Sequence, residues 1–153
     1  MTTSGNKNEA LEKARYLCSR EEKCRSDIER KLAQWNVKEP DRDNIIEQLI
    51  EDKFIDEQRY ANAFVRGKMR QNKWGKIKIS YHLKMKNIPA EKIEQALITI
   101  DEEEYHKLIR DELMKKKHSI RESEPYKLKA KLVRYGLSKG YEQEIIFLYI
   151  NDK

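Results

Sequence analysis

The residues able to do chemistry in this chain are few and poorly grouped. Cys18 and Cys24 stand in a C-x5-C spacing. That is neither a zinc nor a thioredoxin-like arrangement, and no second cysteine pair could complete a metal site. Both read as reduced thiols, packed or simply exposed, which suits a cytoplasmic protein. His82, His106 and His118 are isolated in basic or mixed stretches. The acidic run at residues 101–104 opens a helix, where the dipole favours negative charge, so it needs no metal to explain it. Neither G-x-x-x-x-G-K-[ST] nor H-E-x-x-H occurs. The ordinary phosphate loop and the zincin site are therefore missing. No enzyme activity and no cofactor are expected.

What the chain does carry is segregated positive charge. Of its net +6, residues 1–55 contribute −1, residues 56–100 +6 and residues 101–153 +1. Residues 58–90 contain no acid and nine Lys or Arg. Arg66, Lys68, Arg70, Lys73, Lys76, Lys78, Lys84 and Lys86 fall within 21 residues, with Trp74 among them at a turn between two helices. Such a field favours a polyanionic partner, nucleic acid or a nucleoprotein. An aromatic among cations can stack on a base or anchor a protein contact. It can equally cap a helical core.

The elements that position these residues are helices. The chain has 153 residues, 39% charged and 38% hydrophobic, with only 5 Gly and 3 Pro. Good helix formers dominate and strand-like alternation is absent. No apolar run is long enough to span a bilayer. Residues 1–8 are polar and lack the apolar stretch of a secretory signal, so a flexible tail on a cytoplasmic protein is expected.

Comparison of the chain with itself reveals a repeat. Ile28, Leu32, Trp35 and Val37 are matched by Ile79, Leu83, Lys86 and Ile88, 51 residues on. Leu128, Leu132, Tyr135 and Leu137 follow after a further 49. Asn36, Asn87 and Gly136 fall at the same place, where a helix C-cap takes the left-handed conformation. Ser26 with Glu29 reads as a capping box, Gly75 marks the second start, and Ser123 before Pro125 the third. Amphipathic segments precede each copy, near residues 9–19, 57–71 and 102–117. Others follow, near 43–53, 90–100 and 141–150. The expectation is an all-α array of three tandem three-helix modules, at 9–55, 56–100 and 101–153, elongated and curved. A unit of this size is marginal alone and shares stability with its neighbours.

The middle helix of the second module has an additional feature. With Ile79 and Leu83 facing inward, Ile77, Tyr81 and Met85 form a second apolar stripe, where the first module has Ser26, Arg30 and Gln34 and the third Tyr126, Ala130 and Arg134. Docking against a neighbouring module explains the stripe, and so does a ridge for a partner. Lys78 and Lys127 occupy equivalent places. With Lys129, Lys131 and Arg134 they would extend one basic track over modules two and three. Lys115, Lys116 and Lys117 either join it or answer the helix dipole.

These residues resemble the RecX family of recombination regulators over nearly the whole chain, from about residue 10 to 150. Asp56, Arg59, Tyr60, Ala61, Ala63, Phe64, Val65 and Arg66 are similar to the family's D-x-x-R-[FY]-A-x-[AS]-[FWY]-[VI]-R stretch. Gly75, Lys78, Ile79, Leu83, Lys86, Asn87 and Ile88 are similar to its G-x-x-[KR]-I-x-x-x-L-x-x-K-G-[IV], with Asn87 in place of glycine. Ser26, Glu29 and Leu32 fit in the first module. The third module matches mainly by helical pattern.

A monomer is expected. The resemblance implies that it binds the RecA filament on single-stranded DNA. It would lie in the filament's groove and restrain ATP hydrolysis, coprotease action and strand exchange in recombination and DNA repair. It places Arg66, Lys78 and Lys86 at motif positions on the contact surface. Arg59 matches too, but an ion pair competes for it. Lys68, Arg70, Lys73 and Trp74 rest on charge clustering. Two alternatives stay open: a freestanding helix-turn-helix-like nucleic-acid-binding protein, and a helical adaptor for another acidic protein.

Overall fold

Cys24, Gly75 and Glu124 are the N-caps of three successive middle helices, 51 and 49 residues apart. The repeat read from the sequence therefore sets where these helices begin. The computed structural model describes residues 3–151. Among them are nine helices and no strand: α1 (Thr3–Arg20), α2 (Arg25–Gln34), α3 (Glu39–Glu51), α4 (Glu57–Asn72), α5 (Lys76–Met85), α6 (Ala90–Ile98), α7 (Glu102–Ser119), α8 (Pro125–Ser138) and α9 (Gln143–Ile150). Every closely packed helix pair lies within one of the triplets α1–α3, α4–α6 and α7–α9. The fold is thus an all-α repeat of three-helix units. The chain exposes 9994 Å², where a compact protein of its mass exposes about 8,200 Å². A row of triplets, rather than a bundle around one centre, accounts for the surplus.

α1 begins at Thr3, inside the stretch 1–8 expected as a tail; Met1 and Thr2 lie outside the described residues. No proline stops the helix from extending that far.

The C-termini of the middle helices follow one design. Asn36 (φ 63°) and Asn87 (φ 64°) take the left-handed conformation after α2 and α5. The N–H groups of Val37 and Ile88 then donate back to the carbonyls of Leu32 and Leu83, at 2.9 and 3.1 Å. This Schellman geometry folds Val37 and Ile88 onto the core.

The third copy departs from the expected register. Gly136 does not cap α8 but lies buried within it. A Cβ there would stand 2.6 Å from Ile146 Cδ1, so its small size serves the crossing with α9. The left-handed residue is Gly140 (φ 88°), and Tyr141 donates its N–H to the Gly136 carbonyl at 3.0 Å. Tyr141 is fully buried, whereas Leu137, expected to fold back, is 49% exposed. α8 has 14 residues against 10 in α2 and α5. Four residues are close to one turn, so the apolar spacing alone admits both registers.

The first N-cap is also corrected. Ser26 and Glu29 do not form the capping box. Cys24 is the cap, and Asp27 Oδ2 accepts its N–H at 3.3 Å. The fully buried Cys24 fixes the earlier start by inserting into the next triplet's core. Ser26 Oγ donates instead to the Lys86 carbonyl at 2.9 Å.

Two hydrophobic cores result. Ala10, Ala14, Ile28, Leu32, Val37, Ile45, Ile46, Leu49 and Ile55 form the first, within α1–α3. The second runs continuously through α4–α9 and includes Cys24. Its two triplets meet backbone to backbone. The Gly75 N–H donates to the Lys139 carbonyl at 2.7 Å and the Ile77 N–H to the Gly140 carbonyl at 3.1 Å. Tyr141 Oη donates to the Lys73 carbonyl at 2.7 Å, and the Lys76 N–H donates to Tyr105 Oη at 2.9 Å. The join between the first and second triplets is more polar. Lys86 Nζ stands 2.5 Å from Asp27, Arg59 pairs with Glu22 at 2.7 Å, and the Arg25 N–H donates to Glu57 at 3.0 Å.

Candidate functional site

The turn after α4 gathers one part of the cationic set. Lys73 (φ 60°) is the left-handed residue ending α4. The chain then delivers Trp74 half-buried against the second core. Its ring lies 6.4 Å from Phe64 edge-on and 4.5 Å from His82. Lys68 Nζ and Lys78 Nζ stand 5.0 and 4.7 Å from its centroid. The indole thus holds two ammonium groups in place by cation–π attraction. Lys78 also reaches the Ser138 carbonyl at 3.4 Å, and Lys139 donates to the Asn72 carbonyl at 2.8 Å. The end of α4 is therefore capped by the lysine that ends α8, and the end of α8 by a lysine of α5. Lys139 was not singled out from the sequence. Burial holds its ammonium below the usual lysine range; Glu112 opposes the shift, while Lys78 and Lys73 add to it.

Other members of the set are engaged elsewhere. Lys76 pairs with Glu102 and lies over the Tyr105 ring. Arg70 is 3.6 Å from Glu104. Lys86 is held by Asp27. These three bridge neighbouring triplets. Arg59 does so as well, through Glu22, with its own N–H bound to Asp56 at 3.0 Å.

Arg66 and Lys84 remain exposed, with no ion pair among the described residues. In the third triplet Lys127, Lys129, Lys131 and Arg134 are all exposed on α8. Lys127 is 3.9 Å from Glu124, Lys131 pairs with Glu122 at 3.1 Å, and Lys129 stands 5.7 Å from the Phe147 ring centroid. The second apolar stripe is not covered by a neighbouring triplet. Ile77, Tyr81 and Met85 are 55%, 59% and 65% exposed.

Most of the groups that could have done chemistry are used in packing. Cys24 is buried, and burial pushes the half-buried Cys18 thiol up to about 11. His82 lies against Trp74, and His106 Nδ1 is 2.8 Å from Tyr149 Oη. His118 is exposed. No group of three or more His, Cys, Asp or Glu among the described residues is placed to hold a metal ion. No helix there is long and apolar enough to cross a membrane.

The pattern of triplets has counterparts among known proteins. The family description "RecX, second three-helix domain" matches residues 56–97, and "RecX, third three-helix domain" matches residues 102–150. The Regulatory protein RecX of Clostridium beijerinckii is 31% identical over 147 residues, which is 95% of this chain and 68% of that protein. The chain belongs to the RecX family. The Regulatory protein RecX of Clostridium botulinum (strain Eklund 17B / Type B) is 39% identical over 116 residues, 72% of this chain and 54% of that one. The chain thus spans about half to two thirds of the length of these RecX relatives. A crystal structure of regulatory protein RecX matches with a TM-score of 0.88 at 23% identity, over 99% of this chain and 74% of the other. RecX from Lactobacillus salivarius matches with a TM-score of 0.83, also at 23% identity, over 97% of both chains. At that identity the likeness concerns the fold.

The RecX motif positions in this chain have different fates. Gly75 serves the backbone contact with Gly140, and Ile79 and Leu83 are core. Lys86 belongs to the join with the first triplet, Lys78 to the Trp74 cluster, and Arg66 faces solvent.

Proposed function

We propose that this RecX-family chain is a non-enzymatic cytoplasmic regulator. It binds the RecA filament on single-stranded DNA and restrains ATP hydrolysis, coprotease action and strand exchange. The observation that carries the reading is the continuous core of α4–α9. It holds two triplets as one body that presents Arg66, Lys84, Lys127, Lys129 and Arg134 to solvent. A fixed cationic body suits a groove lined by acidic protein surface and DNA phosphates. Lys68, Lys73, Trp74 and Lys78 lie at the seam between those triplets, where a bound filament would meet both. Regulation follows from preferential binding to one filament state, or from blocking subunit addition.

The freestanding DNA-binding alternative is less well served. The exposed face of α5 offers Ile77, Tyr81 and Met85. That composition suits a protein contact better than reading base edges, which needs Arg, Asn or Gln.

The test is a titration of RecA's DNA-dependent ATPase on preformed filaments at two salt concentrations. Inhibition near or below stoichiometric ratio is expected. Inhibition that vanishes whenever excess DNA is supplied would mean simple sequestration and would overturn the proposal.

A further inference from the structure

The segment after α7 turns back toward α8 and borders a shallow cleft in the third triplet that is open to solvent. Lys116 and Ile120 from the end of α7, Arg121 from the loop, and Lys131, Arg134 and Tyr135 from α8 line a space of about 580 Å³. That is within the range of small-ligand sites. No carboxylate lines it. Lys131 is already paired with Glu122 at 3.1 Å, and Lys116 Nζ rests 5.0 Å from the Tyr135 centroid. The exposed Arg121 and Arg134 have no ion-pair partner among the described residues. Tyr135 is half-buried, and its hydroxyl donates to Glu112 Oε1 at 3.2 Å, which fixes the ring's orientation.

The cleft therefore combines unpaired guanidinium groups with a fixed aromatic ring. Guanidinium forks bind phosphate oxygens in pairs of hydrogen bonds, and aromatic rings stack on unpaired bases. A carboxylate-bearing peptide would use the first feature and leave the second idle. We propose that this cleft seats one phosphate-and-base unit of single-stranded nucleic acid. Arg121 and Arg134 hold the phosphate, and the base stacks on Tyr135. The Lys116 ammonium now over that ring moves to the phosphate as the base enters. The proposal deepens the filament reading and rests on it. It assigns this face of the third triplet to the DNA strand rather than to RecA.

The experiment measures binding of the full chain to a labelled oligothymidylate, without RecA, across a salt series. Replacing Arg121→Gln together with Arg134→Gln should weaken binding by at least about tenfold at low salt. It should also flatten the slope of log K against log salt by about 1.4, because each phosphate contact on a single strand contributes about 0.7. The pair Lys31→Gln with Lys38→Gln makes the same charge change on the first triplet, where both lysines are exposed, and should leave the slope unchanged. Tyr135→Phe keeps the stacking ring but loses its anchor to Glu112, so it should bind more weakly than the parent and more tightly than Tyr135→Leu.

Equal behaviour of the two double variants would overturn the site, as would no binding by the parent chain at low salt. Displacement of the oligonucleotide by polyglutamate of equal charge, with Tyr135→Leu unaffected, would make the cleft an acidic-peptide site and overturn it too. Failure of the parent chain to inhibit RecA's ATPase sinks the filament reading instead. The oligonucleotide measurements contain no RecA and separate the two.

Discussion

The Gly75 N–H donates to the Lys139 carbonyl across 2.7 Å, so at this point two triplets touch main chain to main chain. A Cβ on Gly75 would stand 2.3 Å from the Gly140 carbonyl oxygen, and a Cβ on Gly140 2.3 Å from Lys78 Cβ. Side chains cannot relieve a clash with backbone. Gly75→Ala should therefore destabilise the chain by about 1–3 kcal/mol, the usual cost of overpacking. Gly67 in α4 has open space around its missing Cβ. Gly67→Ala should be neutral or stabilise by up to about 1 kcal/mol through helix propensity. Urea unfolding of the two variants, read by circular dichroism, checks the contrast.

The division into two cores predicts two responses to cavities. Leu83 and Leu32 are both fully buried, but in different cores. Leu83→Ala should cost about 2–5 kcal/mol and raise amide exchange in α4–α9 together. Leu32→Ala should cost a similar amount, with faster exchange confined mainly to α1–α3. Equal acceleration along the whole chain by both variants would contradict separate cores.

Much of this architecture is legible in the residues, and the parts that are not have a physical reason. Apolar spacing fixes the three middle helices and their inward faces, although the starts read at Ser26 and Ser123 are displaced from the caps, Cys24 and Glu124. The end of α8 is hidden because slipping by one turn leaves the same face inward. Only the contact of Gly136 with Ile146 tells that glycine from a cap. The candidate site is less legible still. Charge clustering groups Lys76 and Lys86 with Arg66 and Lys84. Their separation depends on Glu102 and Asp27, which lie 26 and 59 residues away in sequence. Arg121 stands alone in a loop, and nothing local connects it to Arg134. Lys139 is one lysine near a helix end until α4 is placed beside it.

The exposed stripe on α5 gives a prediction that separates partner contact from stability. Tyr81 and Met85 are more than half exposed. Tyr81→Ser with Met85→Ser should shift stability by no more than about 0.5 kcal/mol for each surface change. Under the filament reading it should weaken inhibition of RecA's ATPase. A large loss of melting temperature would show that a neighbouring part of the chain covers the stripe. Unchanged inhibition would remove it from the contact surface.

Asp27 links the first triplet to the second and makes that link pH-dependent. Burial pushes its carboxyl up, but hydrogen bonds from the Lys86 ammonium and the Cys24 N–H outweigh this and hold it below its ordinary value. A carboxyl with a lowered folded pKa contributes stability above its unfolded pKa, about 3.9, and that contribution is lost as pH falls through the folded value. Asp27→Asn removes the charge while leaving an oxygen to accept the Cys24 N–H. Its urea midpoint should therefore lie below the parent's at pH 7. The gap should begin to narrow below about pH 4, as the unfolded chain's carboxyl takes up a proton, and close as pH falls through the lower folded value. Lys86 is one third exposed, so solvent screens the pair and added salt should shrink the gap at pH 7. A gap that stays constant from neutral to acid pH would show that Asp27 acts by shape alone.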